Sequence, residues 1–230
     1  MEGGRRSDVI VPRFEMQPQR TSHSYIYLHG LASSPRSTKA RYLSDRLRDR
    51  GIDLIVPDLN NGDFSHLTLT RCIQQTIALL DGTPTTLIGS SLGGLTAAWV
   101  AQKQTAVCKV ILLAPAFNFL QRGLQNLGED AIADWKTSGY RQVYHYGSRQ
   151  QVPLHYGFVE DLQCYDDRHL DRPVDTLILH GIDDEVIPIA ESQNLARSRP
   201  WVRLIELPSD HALGNVLPEI WQAIAAEIFP

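Results

Sequence analysis

The sequence predicts an α/β fold, a mostly parallel sheet with helices on both faces, and three observations predict it. Short apolar runs alternate with longer amphipathic stretches over most of the chain, the pattern of buried strands covered by helices. The length of 230 residues suits one α/β domain with a substantial core. No internal repeat or low-complexity segment competes with that assignment.

Each element follows in order. Residues 24–28 (SYIYL) form a compact strand-like run that stops at His29-Gly30. Residues 37–50 read as a helix, with Gly51 where a helix C-terminal glycine is expected. An apolar run at 52–56 leads into a loop rich in Asn, Asp and Gly, followed by a helical segment near 68–80. Strand 85–88, helix 91–103 and strand 107–113 come next. Strands at 174–180 and 201–207 flank a helix near 189–198, and a helix near 215–228 closes the chain.

One stretch breaks the alternation. Residues 117–170 carry many aromatics, among them Trp135, Tyr144 and Phe158, with no clear strand period. Lying between two strands, they are expected to form a lid insertion over the carboxyl edge of a single domain spanning residues 1–230. The plainer alternative is a pair of helices packed on the sheet.

Composition removes several function classes. The net charge of -4 is mild and the basic residues are scattered, which gives no electrostatic support for nucleic acid or an anionic membrane as partner. No run of about 18 apolar residues could span a bilayer, and MEGGRRSDVI is not followed by an apolar leader segment. Three cysteines without a CxxC pairing indicate reduced thiols and a cytoplasmic setting. No HExxH, HxxEH or zinc spacing occurs, so neither metal nor cofactor is expected.

The strongest chemical signal is Gly89-Ser90-Ser91-Leu92-Gly93, placed between a strand and a helix. A tight strand-to-helix turn strains its central residue and needs small neighbours, here Gly89 and Gly93. It lifts the Ser91 hydroxyl to a helix N-terminus, where negative charge is stabilised. A plain serine helix cap would use the same residue types, but the strand–turn–helix context favours a nucleophile. A dinucleotide turn fails, because GxGxxG is absent and no acid occurs from Ala106 to Ala116.

A second signal is LHGLASS at the end of the first strand. Such a turn offers one backbone amide to an oxyanion hole, and the residue after the nucleophile offers the other. The donors would be Leu31 and Leu92, with Gly30 allowing the turn and His29 stabilising it. An acid and a base should then follow the serine in chain order. GIDDEVIP and SDHAL follow two successive strands, which makes His211 the base and Asp210 a turn former. Asp183, Asp184 and Glu185 all compete for the acid and are not separable on these grounds.

These motifs resemble the α/β-hydrolase superfamily, and in particular small YqiA-like bacterial esterases. YLHGLASSPRSTKA, GSSLGG, HGIDDEVIP and SDHAL are similar to that family's blocks across roughly residues 24–228. The resemblance implies that the acid is the aspartate three residues after the glycine, Asp184. WKTSGY and PLHYGFVED look more like depalmitoylating or acyl-glucuronide-cleaving hydrolases. The expected activity is hydrolysis of a small-molecule ester or thioester by Ser91, His211 and Asp184, with Trp135, Tyr144 and Phe158 as a pocket. Rival classes are an acyltransferase or C–C bond hydrolase on the same fold, and a non-catalytic binding module.

Overall fold

A computed structural model describes residues 23–122 and 127–229. The stretch MEGGRRSDVI, on which the expectation of no leader rests, lies outside the described residues.

Six parallel strands make the main sheet: β1 (Ser24–Leu28), β2 (Leu54–Ile55), β3 (Thr85–Ser90), β4 (Val107–Leu113), β7 (Asp175–Gly181) and β8 (Val202–Leu207). Their order across it is β2-β1-β3-β4-β7-β8. Successive apolar residues along each strand go to opposite faces. Ile26, Leu87, Val110 and Ile178 join one buried cluster, while Tyr27, Ile88, Ile111 and Leu177 join the other. Continuous apolar runs are therefore what a sheet covered on both sides demands.

Helices α2 (Leu69–Ile77) and α3 (Leu92–Lys103) cover the first face, whereas α1 (Thr38–Arg48) and α8 (Leu217–Ile228) cover the second. Helix α7 (Ala190–Ser198) connects β7 to β8. Helix α1 starts where the Ser37 hydroxyl accepts the Ala40 amide, and Gly51 beyond its end has φ +74°. The run expected at 52–56 contributes only Leu54–Ile55 to the sheet. It is an edge strand with one partner, β1, and Pro57 soon follows, lacking the donor a ladder needs. The chain goes one way from β1 to β2 and the other way through β3 and β4. Ligands bind at such a switch point, outside the carboxyl ends of the strands.

The segment between β4 and β7 holds α4 (Phe119–Arg122), α5 (Glu129–Ser138), an antiparallel hairpin of β5 (Tyr140–His145) and β6 (Gln150–His155), and α6 (Gly157–Leu162). The hairpin corrects the expectation of no strand period here. In β5 the aromatics Tyr140 and Tyr144 face solvent, while Arg141, Val143 and His145 are turned toward the protein. That inverts the usual link between apolarity and burial, so hydropathy alternation does not register. The hairpin rests on the Phe64–His66 turn, where the Phe64 and His145 rings lie 4.9 Å apart edge to face. Its tip reaches the loop after β1, where the Tyr146 amide donates to the Ala32 carbonyl at 2.7 Å. No helix among the described residues is long and apolar enough to cross a membrane.

Candidate active site

Four strand ends supply the site. Ser91 follows β3 and caps the N-terminus of α3 with φ 54° and ψ −118°, a left-handed conformation that costs an L-residue on the order of 1–3 kcal/mol. Its surroundings hold it there. The Ser91 amide donates to Leu113 at 2.9 Å, and its carbonyl accepts from Leu95 and Ala116 at 3.0 and 3.1 Å. The flanking glycines let backbones close in: a Cβ on Gly89 would lie 2.3 Å from the Gly93 carbonyl oxygen, and one on Gly93 would lie 2.1 Å from that of Leu28. No side chain fits at either position.

The loops after β7 and β8 are stitched together. The Ile182 amide donates to Leu207 at 2.9 Å and the Asp183 amide to Ser209 at 3.0 Å. A Cβ on Gly181 would sit 2.3 Å from the Ser209 carbonyl oxygen. This contact brings Asp184 and His211 within bonding distance: His211 Nδ1 is 2.7 Å from Asp184 Oδ2, and His211 Nε2 is 3.0 Å from Ser91 Oγ. A carboxylate only accepts, so Nδ1 carries the hydrogen and the Nε2 lone pair faces the serine hydroxyl.

The side chain of Asp184 is fully buried. Its Oδ1 accepts the amides of Val186 and Ile187 at 2.9 and 2.8 Å, and Oδ2 accepts His180 Nε2 at 3.0 Å as well as His211. Burial alone would raise the carboxyl, but the hydrogen bonds from His180 and His211, the charge of His211 and the Ile187 amide hold it well below the usual carboxylate range. Asp183 and Glu185 are exposed and make none of these contacts. Asp210 Oδ1 accepts the Ala212 and Leu213 amides at 3.0 and 3.2 Å, and so shapes the turn carrying His211.

His29 is buried and structural in its contacts. Its Nδ1 donates to the Gly30 carbonyl at 2.9 Å, and its Nε2 accepts the Leu59 amide at 3.0 Å. Burial lowers its pKa, which suits this neutral, fully bonded ring. Gly30 packs against the elbow, since a Cβ there would lie 3.3 Å from Ser91 Cβ. Next to it, the Leu31 amide and the Leu92 amide of the first helical turn have no backbone or side-chain acceptor among the described residues. Two open donors flanking Ser91 are what a developing oxyanion requires.

A cavity of about 440 Å³ is lined by Ser91, His211, Leu31, Lys39, Tyr146 and Val186, among others. Clefts near Phe117 and Asp167 are lined by neither Ser91 nor His211. The three aromatics expected to form the pocket lie elsewhere. Trp135 is buried in the segment between β4 and β7, its Nε1 donating to the Leu154 carbonyl at 2.9 Å, and Phe158 is buried against Phe119. Tyr144 is exposed on β5 and stacks edge to face on Tyr146, at 5.2 Å between centroids. Between β4 and β7 the aromatic that reaches the cavity is Tyr146, at the hairpin tip, and Tyr27 of β1 lines it from the sheet.

Two further residues at the site, His180 and Lys39, carry no motif of their own. His180 is buried on β7; its Nε2 donates to Asp184 Oδ2 and to the Ile187 carbonyl, while Nδ1 takes the Ser192 hydroxyl at 2.8 Å. The ring thereby locks the acid from behind. Its signal was HG four residues before Asp184. Lys39 lies in SSPRSTKA, just after the turn that follows β1. Among the described residues no group of three or more His, Cys, Asp or Glu side chains converges on a metal position.

This fold, with its parallel sheet and a serine turn at the carboxyl end of β3, is that of the α/β-hydrolase superfamily, of which the chain is a member. Within it, the profile of the uncharacterised protein family UPF0227 matches residues 24–227, and the chain belongs to that family. Among solved structures, it is similar to a protein of Agrobacterium vitis S4 provisionally described as a hydrolase. That pair is 25% identical over 90% of this chain and 88% of the other, with a TM-score of 0.79. Est1E from Butyrivibrio proteoclasticus, solved with ferulic acid bound, is 18% identical over 90% and 88%, with a TM-score of 0.76. Alpha/beta hydrolase domain-containing protein 10 from mouse is 20% identical over 89% and 88%, with a TM-score of 0.72. Hydrolases and esterases of one fold thus surround the chain, and an enzyme of the α/β-hydrolase type is the class they support.

Proposed function

We propose that the chain is a serine hydrolase that cleaves carboxylic esters or thioesters through an acyl-enzyme on Ser91. One observation carries this: the unbroken relay of Asp184 Oδ2, His211 and Ser91 Oγ at 2.7 and 3.0 Å, with the serine held in a strained turn at a helix N-terminus. His211 Nε2 takes the hydroxyl proton as Ser91 Oγ attacks the carbonyl carbon. Negative charge grows on the former carbonyl oxygen, toward the amides of Leu31 and Leu92. Each such donor is worth about 10²–10³ in rate. The tetrahedral adduct collapses, and His211 returns the proton to the departing alcohol or thiol. Water, deprotonated by the same nitrogen, then releases the acid. Asp184 holds the required tautomer and balances the imidazolium throughout.

The substrate's carbon skeleton would lie in the cavity of about 440 Å³ beside Ser91, against Leu31, Tyr146, Val186 and Leu217. That volume suits a small molecule. Graded acyl esters and thioesters should be turned over by the wild-type protein and not by Ser91→Ala. Adding methanol or glycerol tells hydrolysis from acyl transfer: a hydrolase gives mainly free acid, and a mainly transesterified product would make the chain a transferase. Undiminished turnover by Ser91→Ala would overturn the mechanism.

A further inference from the structure

We propose that Lys39 forms, beside Ser91, a subsite for an anionic group, carboxylate or phosphate, carried by the ester substrate. The inference rests on the hydrolase function proposed above and adds a substrate class to it.

Lys39 lies in the first turn of α1 and lines the same cavity as Ser91 and His211. Its Nζ donates to the Ala212 carbonyl at 2.6 Å, so the ammonium is fixed against the loop that carries the base. An ammonium has three donors, and that carbonyl occupies one. Among the described residues no carboxylate pairs with it. Lys109 shows the contrast: it meets Asp175 at 2.6 Å and Glu227 at 2.5 Å.

A half-buried cation without a counter-ion is costly to fold around. Burial brings Lys39 down to about 8, against the through-space pull of Asp210 and Asp184 in the other direction. Such a charge at the wall of a reaction cavity is a functional candidate on physical grounds, because an incoming anion would supply the missing partner. Hydroxyls of Ser33 and Thr38 share the wall and can donate to the same anion. Glu185 also lines the cavity, but it is exposed, whereas Lys39 is half-buried, so water screens the carboxylate more. Tyr146, Leu31, Val186 and Leu217 offer apolar surface for the remainder. The fitting substrate is therefore an amphipathic ester with an acidic end.

The test compares matched neutral and anionic esters, with a carboxylate or a phosphonate on the acyl part in one series and on the alcohol part in another. Wild type should show a higher kcat/KM for the anionic member of at least one pair. Lys39→Gln keeps a donor for Ala212 and removes the charge, and should lose about 10- to 100-fold of that preference, the range of a charge-assisted hydrogen bond. Lys39→Met should lose it too, and Lys39→Arg should retain most of it. In wild type the preference should fade as pH rises through about 8. The retained anion type tells carboxylate from phosphate. An anionic-to-neutral ratio equal in wild type and both neutral variants, with Ser91 still labelled by a fluorophosphonate, overturns this inference alone. Absence of labelling and of all hydrolysis in wild type removes the hydrolase function and this subsite together.

Discussion

Asp184→Asn isolates the role of the acid, and the structure sets its size. The carboxylate now accepts four bonds: Val186 and Ile187 amides on Oδ1, and His180 and His211 on Oδ2. An asparagine can keep its oxygen on the two amides, but its NH₂ then faces two N–H donors. His180 cannot reverse, because its Nε2–H also serves the Ile187 carbonyl at 3.0 Å. His211 must therefore change tautomer, accepting at Nδ1 and turning Nε2–H toward Ser91. A donor there cannot take the serine proton. The expected fall in kcat is about 10⁴-fold, the scale of a tautomer inversion in a serine triad. The asparagine N–H left facing His180 without an acceptor costs roughly 1–3 kcal/mol in stability. Steady-state hydrolysis of a short neutral ester, with folding checked by circular dichroism, measures both effects. Asp183→Asn serves as control, since that side chain is exposed and should change kcat less than about threefold. A folded Asp184→Asn variant within tenfold of wild type would refute the role, and a reversed order of the two variants would move the acid by one residue.

Trp135→Ala and Tyr146→Ala should separate packing from substrate contact. The first empties a buried site and should cost about 3–5 kcal/mol in chemical denaturation; the second, on the cavity wall, should change acyl-length preference with little loss of stability. Gly93→Ala would put a Cβ 2.1 Å from the Leu28 carbonyl oxygen, and should lower Tm by about 10 °C or more or abolish soluble expression. Acid titration of Tm should show stability from Asp184 that is complete above its unfolded pKa of 3.8 and lost as pH falls below it, because the folded pKa is the lower of the two. Asp184→Asn should lessen that loss, and an unchanged acid limb would contradict the hydrogen-bonded, ionised carboxylate.

The sheet was legible in the sequence because its strands are buried on both faces, so VCKVILL and VDTLILH stand out as apolar runs ended by glycine or proline turns. The serine turn was legible for a steric reason: at Gly89 and Gly93 the backbone comes too close for any side chain. Which acid serves His211 was not legible from the residues themselves. Asp183 and Asp184 differ only in which way the loop turns them, and the contact of Gly181 with Ser209 decides that. The segment between β4 and β7 was the least legible part. Aromatic content marked Trp135, Tyr144 and Phe158, but two of these fill the core and the third faces water. The hairpin's turn, which hydropathy ignores, delivers Tyr146 instead. Lys39 escaped notice because a lysine in an amphipathic helix reads as solvent-facing, and only the packing of α1 against the His211 loop brings it to the cavity wall.

If Ser91 is the nucleophile of the relay with His211 and Asp184, treatment with a fluorophosphonate, followed by peptide mass spectrometry, should find one adduct per chain. It should lie on Ser91 and not on the adjacent Ser90, be absent in Ser91→Ala and form much more slowly in His211→Ala. An adduct on another residue, or a fully active Ser91→Ala variant, would contradict that role.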